Sequence, residues 1–119
     1  SEPFNPSWLT GARIVHLDTA AETDLRAVID AARGIGARVV FSLGERTDDD
    51  AIQLLGLADY VLTDYERASL LTEQHNPSQA AYALSLRTAA PVIVTEGADG
   101  CHFANGRERD LSMFIFRFF

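Results

Sequence analysis

Pro91-Val92-Ile93-Val94-Thr95-Glu96-Gly97-Ala98-Asp99-Gly100-Cys101 is the stretch around which the other segments arrange themselves. A short apolar run rich in β-branched residues and opened by a proline reads as a buried strand. It ends on Thr95 and on two glycines three apart, Gly97 and Gly100. Without a Cβ, and with positive φ allowed, such glycines let backbone amides approach something bulky or anionic. A tight strand–turn–strand that needs glycine only for its geometry accounts for the same pattern. Cys101-His102-Phe103-Ala104 reads as a second short strand, closing on Asn105-Gly106, a hairpin-turn signal.

Working back towards the N-terminus, strands and helices alternate. Residues 1–12 read as a loop or short helix around Trp8-Leu9, and Arg13 to Asp18 as a strand. Thr19-Ala20-Ala21-Glu22 has capping-box spacing, and the helix it would open carries Leu25, Val28, Ile29 and Ala32 on one face. Arg38 to Leu43 is the next strand. Thr47-Asp48-Asp49-Asp50 then starts a short helix with acids in its first turn. Tyr60-Val61-Leu62-Thr63 is a third strand, Asp64 caps a helix running through Leu71, and Asn76-Pro77 opens another that ends near Arg87 or Thr88. Nearly all-apolar strands separated by helices predict an α/β fold, Rossmann-like, three-layer α/β/α with a mostly parallel sheet.

Composition narrows the function classes. The 119 residues suffice for one domain, and a net charge of -7 argues against nucleic acid or an anionic membrane as partner. All ten positive side chains are arginine, so Schiff-base chemistry and a Walker-type phosphate lysine are excluded. The single cysteine, Cys101, rules out an internal disulfide and a cysteine-rich zinc site, and its strand position fits an inert core thiol. With no signal-peptide pattern and no membrane-length apolar run, the expected location is cytoplasmic.

Ligands of open parallel sheets bind beyond the carboxyl ends of the strands. Those ends present Asp18, then Ser42 and Glu45, then Thr63 and Asp64, then Thr95 and Glu96. Thr19, Thr47 and Asp64 are equally plausible as helix caps, which need no ligand. The gathering of several polar groups beside a glycine turn is what favours a phosphate or nucleotide site. His16 and His102 lie within strands and read as satisfied histidines rather than ligands. No metal-ligand cluster and no nucleophile–base pair shows at local spacing, so no catalytic or metal residue is assigned.

Two segments carry a resemblance. Val94-Thr95-Glu96-Gly97-Ala98-Asp99-Gly100-Cys101 resembles the Val-Thr-x-Gly-x-x-Gly segment of the ribokinase-like PfkB carbohydrate kinases. Ala58-Asp59-Tyr60-Val61-Leu62-Thr63-Asp64-Tyr65-Glu66-Arg67-Ala68 is similar to the strand and helix that carry that family's Asn-x-x-Glu motif. The resemblance implies a partial ribokinase-like domain over 1–106, followed by an atypical hydrophobic tail over 107–119. It implies ATP-dependent phosphoryl transfer to a hydroxyl of a small sugar or nucleoside, with ATP and Mg2+ as cofactors. By the same resemblance Thr95, Gly97 and Gly100 face the nucleotide, and Asp64 lies near the phosphates and magnesium.

There are departures. Arg67 stands where the motif has its glutamate, and Glu66, one residue early, points about 100° away on a helix of 3.6 residues per turn. Nothing after Gly106 matches the family's Gly-Ala-Gly-Asp stretch, which supplies an anion hole and the general base. The early Gly-Gly substrate segment has no counterpart. A chain without both is expected to be catalytically inactive alone. The tail Leu111 to Phe119 holds four of the seven phenylalanines. It fits a final core strand or, as we read it, an abnormal end from truncation or a shifted frame. The alternative reading is a non-catalytic α/β module that forms homo-oligomers, or meets a partner, through an exposed sheet edge and this tail.

Overall fold

The computed structural model describes residues 4–19 and 24–106, and the backbone of residues 115 and 116. A 3-10 turn over Pro6–Leu9 leads into β1 (Ile14–Asp18), α1 (Leu25–Gly34), β2 (Arg38–Ser42), α2 (Asp49–Leu55) and β3 (Tyr60–Asp64). Next come α3 (Tyr65–Thr72), α4 (Pro77–Thr88), β4 (Val92–Thr95), a 3-10 turn over Gly97–Asp99, β5 (Cys101–Ala104) and β6 (Ile115–Phe116). The sheet order is β1-β2-β3-β4-β5-β6. β1 to β4 run parallel, and β5 and β6 are antiparallel to their neighbours. This is the mostly parallel α/β sheet that the alternation of elements predicts.

β1 to β4 alternate in burial because successive side chains point to opposite faces, whereas in β5 Cys101 and His102 are both buried. Leu17, Phe41, Val61, Val92 and Ala104 are consecutive register partners across five strands, and all are buried. That row, with Val15, Val39 and Val94, forms one core with Leu25, Val28, Ile29 and Ala32 of α1, Leu55 of α2, Ala68 of α3, and Ala80, Ala81 and Leu84 of α4. A geometric rule explains why all four helices reach the same face. Each crossover moves one strand in the same direction, and right-handed connections then place every helix on one side.

The other face carries Ile14, His16, Val40, Ser42, Tyr60, Leu62, Ile93 and Thr95, all half-buried or exposed, and none belongs to the core. Among the described residues, then, two of the three layers are present: the sheet and one helical layer.

Local signals set the helix starts, with two exceptions. Asn76 accepts from the N–H groups of Ser78 and Gln79, with Pro77 at the first helical position, as the sequence predicts. Asp64 accepts from Arg67 N at 2.7 Å and opens α3. The capping box read over Thr19–Glu22 extends outside the described residues, and the described helix starts after it. Asp24 caps α1, through Ala27 N. Thr19 is fully buried instead; its Oγ1 accepts from Gly44 N at 3.2 Å and donates to Arg46 O at 3.4 Å, tying β1 to the loop after β2. Likewise Asp48, not Thr47, caps α2, through Ala51 N. Of the 107–119 tail, Ile115–Phe116 pairs with β5, and the rest lies outside the described residues.

Candidate functional site

The parallel register brings two of the predicted site residues side by side. Asp64, last residue of β3, is the Cα partner of Thr95, last residue of β4. Both lie on the face that carries no helix. Thr95 Oγ1 reaches Thr63 O at 3.5 Å, while Thr63 is itself buried and donates to Leu43 O at 3.2 Å. Thr63 and Thr19 therefore serve the rim's backbone; among the strand-end groups Thr95 and Glu96 lead into the glycine turn, with Asp64 beside Thr95.

That turn is closed by its own backbone. Glu96 N donates to Gly100 O, Asp99 N to Glu96 O, and Gly100 N to Gly97 O. Gly97 has φ +60, is exposed, and an added Cβ there would meet nothing within 4 Å. Gly100 has φ 103 and ψ -150 and is buried. Both glycines thus adopt conformations that L side chains avoid. The space around Gly97 is open enough for a ligand's phosphates to meet backbone.

The acid beside it is already engaged. Asp64 Oδ1 caps α3, and Oδ2 lies 3.3 Å from Arg67 Nη1. Arg67 brings a fixed positive charge to the rim beside Asp64. No group of three or more His, Cys, Asp or Glu side chains able to hold a metal occurs among the described residues. A guanidinium paired with Asp64 suits an anion and does not suit a divalent cation at these two residues.

Sequence reading names two histidines, His16 and His102, and misses the hydrogen-bond partners that the fold gives them. His16 Nε2 lies 2.5 Å from Ser42 Oγ, in an exposed pair on the helix-free face. His102, buried, lies with Nδ1 3.0 Å from Ser78 Oγ at the start of α4 and Nε2 2.7 Å from Glu96 Oε2. The order serine, histidine, carboxylate is that of a nucleophile, base and orienting acid. Here the N–H groups of Ser78 and Gln79 offer no oxyanion site, because both donate to Asn76 Oδ1. His102 is a satisfied core histidine, as the sequence suggests, and one that links the glycine turn to α4.

A cleft of about 420 Å³ lies elsewhere on the chain, between the first turn of α1 and α2, and none of Asp64, Thr95, Gly97 or Gly100 lines it. Arg46 and Asp50 border it, and Arg46 Nε pairs with Asp48 at 2.8 Å. The hydrogen bond between them raises the Arg46 guanidinium above its ordinary value and lowers the Asp48 carboxyl, with the Ala51 N–H adding to the latter. Both groups are solvent-exposed, so the pair contributes little to stability.

No protein-family profile matches the sequence. No curated protein matches it. Solved structures do. A PfkB protein from Polaromonas sp. JS666 aligns at 24% identity with TM-score 0.72, over 98% of this chain and 44% of that one. Ribokinase from Giardia lamblia aligns at 15% identity with TM-score 0.74, over 96% of this chain and 38% of that one. A ribokinase II from E. coli, in a structure described as a complex with ATP and Mg2+, aligns at 16% identity with TM-score 0.69, over 97% and 41%. The chain has the ribokinase-like fold and spans about two-fifths of the length of these structures.

Proposed function

We propose that the chain is the nucleotide-facing part of a PfkB-type ATP-dependent carbohydrate kinase and that it does not turn over substrate by itself. One observation carries the reading. Asp64 and Thr95 are register neighbours at the carboxyl ends of β3 and β4, followed at once by an open turn on Gly97 and Gly100. This is where an open parallel sheet receives a ligand. The likeness in fold to a structure holding ATP and Mg2+ supports the same assignment.

In this reading the amides of the Gly97 turn meet phosphate oxygens, Thr95 lines the approach, and Arg67 adds a positive charge. The nucleotide supplies the transferable phosphoryl group when bound. Phosphoryl transfer relies on positioning and on charge stabilisation at the moving group. The general base alone contributes about 10²–10⁴ in rate. No Gly-Ala-Gly-Asp stretch occurs in the sequence to provide one. The domain division, 1–106 as the kinase-like part and 107–119 as an appended tail, belongs to the same proposal, as does a small sugar or nucleoside as the parent's substrate.

Calorimetric titration of the full chain with ADP, followed by an assay for sugar phosphorylation, tests both halves. Measurable binding without turnover is the expected outcome. Absence of binding overturns the nucleotide site, and brisk turnover overturns the incompleteness. Calorimetry suits this better than tryptophan fluorescence. Trp8 sits in the 3-10 turn that packs near α1, at the β1 end of a sheet whose fourth strand carries the site.

A second reading is favoured by the apolar residues left on the helix-free face, where Ile14 is 66% and Tyr60 38% exposed. It has the chain associate through β1, an edge strand, or through the tail, with a second copy or a partner. Sedimentation with and without residues 107–119 tests it, and a monomer in both cases removes it.

A further inference from the structure

Glu96 occupies the position that opens the glycine turn, and its carboxylate does not cap that turn. Both of its backbone groups close the loop, the N–H on Gly100 O and the carbonyl on Asp99 N. Its side chain leaves in the other direction, to His102 Nε2 at 2.7 Å. A carboxylate can only accept, so Nε2 carries the proton. In the neutral ring Nδ1 is then the acceptor, and the Ser78 hydroxyl 3.0 Å away is its donor. The imidazole is thereby oriented from both ends. It is buried, and the acid it holds is only partly exposed, so water competes weakly for either bond.

We infer that His102, held by Ser78, is a positioning residue that withholds the Glu96 carboxylate from the turn and keeps that turn open to an anionic ligand. The inference rests on the nucleotide reading above and deepens it. A glutamate released from His102 has the amides of its own turn within reach as acceptable donors. It would then occupy them and set a negative charge where phosphate oxygens must come. The turn would close on itself. Sequence order alone would not expose this, since the three residues lie at 78, 96 and 102, on α4, at the end of β4 and on β5.

The withholding role differs from a packing role in what rescues it. In ADP titrations of the full chain, His102→Phe should weaken binding about tenfold, which corresponds to about 1.4 kcal/mol. Glu96→Ala should leave affinity within about twofold, and the double variant His102→Phe/Glu96→Ala should recover it, because the offending carboxylate is gone. A double variant as weak as His102→Phe overturns the inference, since His102 then matters only through packing. Should His102→Phe fail to fold, Ser78→Ala loosens only the outer link. It should weaken ADP binding in the same direction and be rescued by Glu96→Ala; no loss, or no rescue, overturns the inference.

Amide hydrogen exchange without nucleotide separates this inference from the site it serves. Exchange at Gly97 and Ala98 should slow in His102→Phe, or in Ser78→Ala if that is the variant that folds, and return in the corresponding double variant. Unchanged exchange overturns the withholding. If the unaltered chain binds no ADP, the nucleotide reading falls, and the exchange pattern still decides the role of His102.

Discussion

Gly97 and Gly100 lie three residues apart and make different demands on a side chain. At Gly97 the space is empty and the obstacle is φ +60 alone, a left-handed conformation that L residues enter at about 1–2 kcal/mol. At Gly100, φ 103 with ψ -150 lies in a region almost closed to anything but glycine, and the residue is buried. Gly97→Ala should therefore lower stability by about 1 kcal/mol in urea unfolding. Gly100→Ala should lower it by more, within about 1–3 kcal/mol. The reverse order would mean that the turn differs from the one described. Arg67 makes the second residue-scale prediction. Because its fixed positive charge pairs with Asp64 and disfavours a divalent cation there, chelating divalent ions with EDTA should change the ADP dissociation constant by less than about twofold. Arg67→Glu should make binding depend on added Mg2+. Complete loss of binding in EDTA would show that the metal is held by groups other than Asp64 and Arg67.

Among the elements, the helix starts show what a sequence can reveal. Asn76-Pro77 and Asp64 are legible because a cap bonds only two or three residues ahead, so its chemistry is local. Thr19 has the same local signature as a cap, and its hydroxyl answers a remote demand that the signature does not reveal: it bridges Gly44 and Arg46, twenty-five and twenty-seven residues on. The same distance hides the Ser78–His102–Glu96 chain, whereas the adjacency of Asp64 and Thr95 follows from parallel strands alone. Substitution separates these roles. Asn76→Ala and Asp24→Ala should each cost about 1 kcal/mol as lost caps. Thr19→Val, which keeps the shape and removes both hydrogen bonds of a fully buried hydroxyl, should cost about 1–3 kcal/mol. Thermal or urea unfolding of the three variants checks this, and a silent Thr19→Val would show that its two hydrogen bonds do not hold the rim. The start of α2 adds a pH dependence. The folded Asp48 carboxyl sits below its ordinary value, chiefly through Arg46. Its contribution is therefore present above the unfolded value and lost as pH falls through the folded one. Asp48→Asn, still a capping residue, should match the parent in acid and fall below it near neutrality.

For the molecule as a whole, the decisive asymmetry is between the two faces of the sheet. The helical face holds the fully buried row through Phe41, Val61 and Val92, and the other face leaves Ile14 and Tyr60 open to water. A domain of this kind has a net stability of about 5–15 kcal/mol. Phe41→Ala should remove about 3–5 kcal/mol of it, enough to bring the chain near unfolding. Ile14→Ala and Tyr60→Ala, on the strands either side of β2, should stay within about 0.5 kcal/mol of the parent if nothing covers them. Urea unfolding at several protein concentrations makes the comparison decisive. A second copy seated on that face would stabilise the folded state by mass action, so the midpoint would climb with concentration and the two exposed-face variants would lower it. A midpoint that does not move, with both variants neutral, would leave the helix-free face bare in solution. The association reading would then have to rest on the β1 edge and residues 107–119 alone.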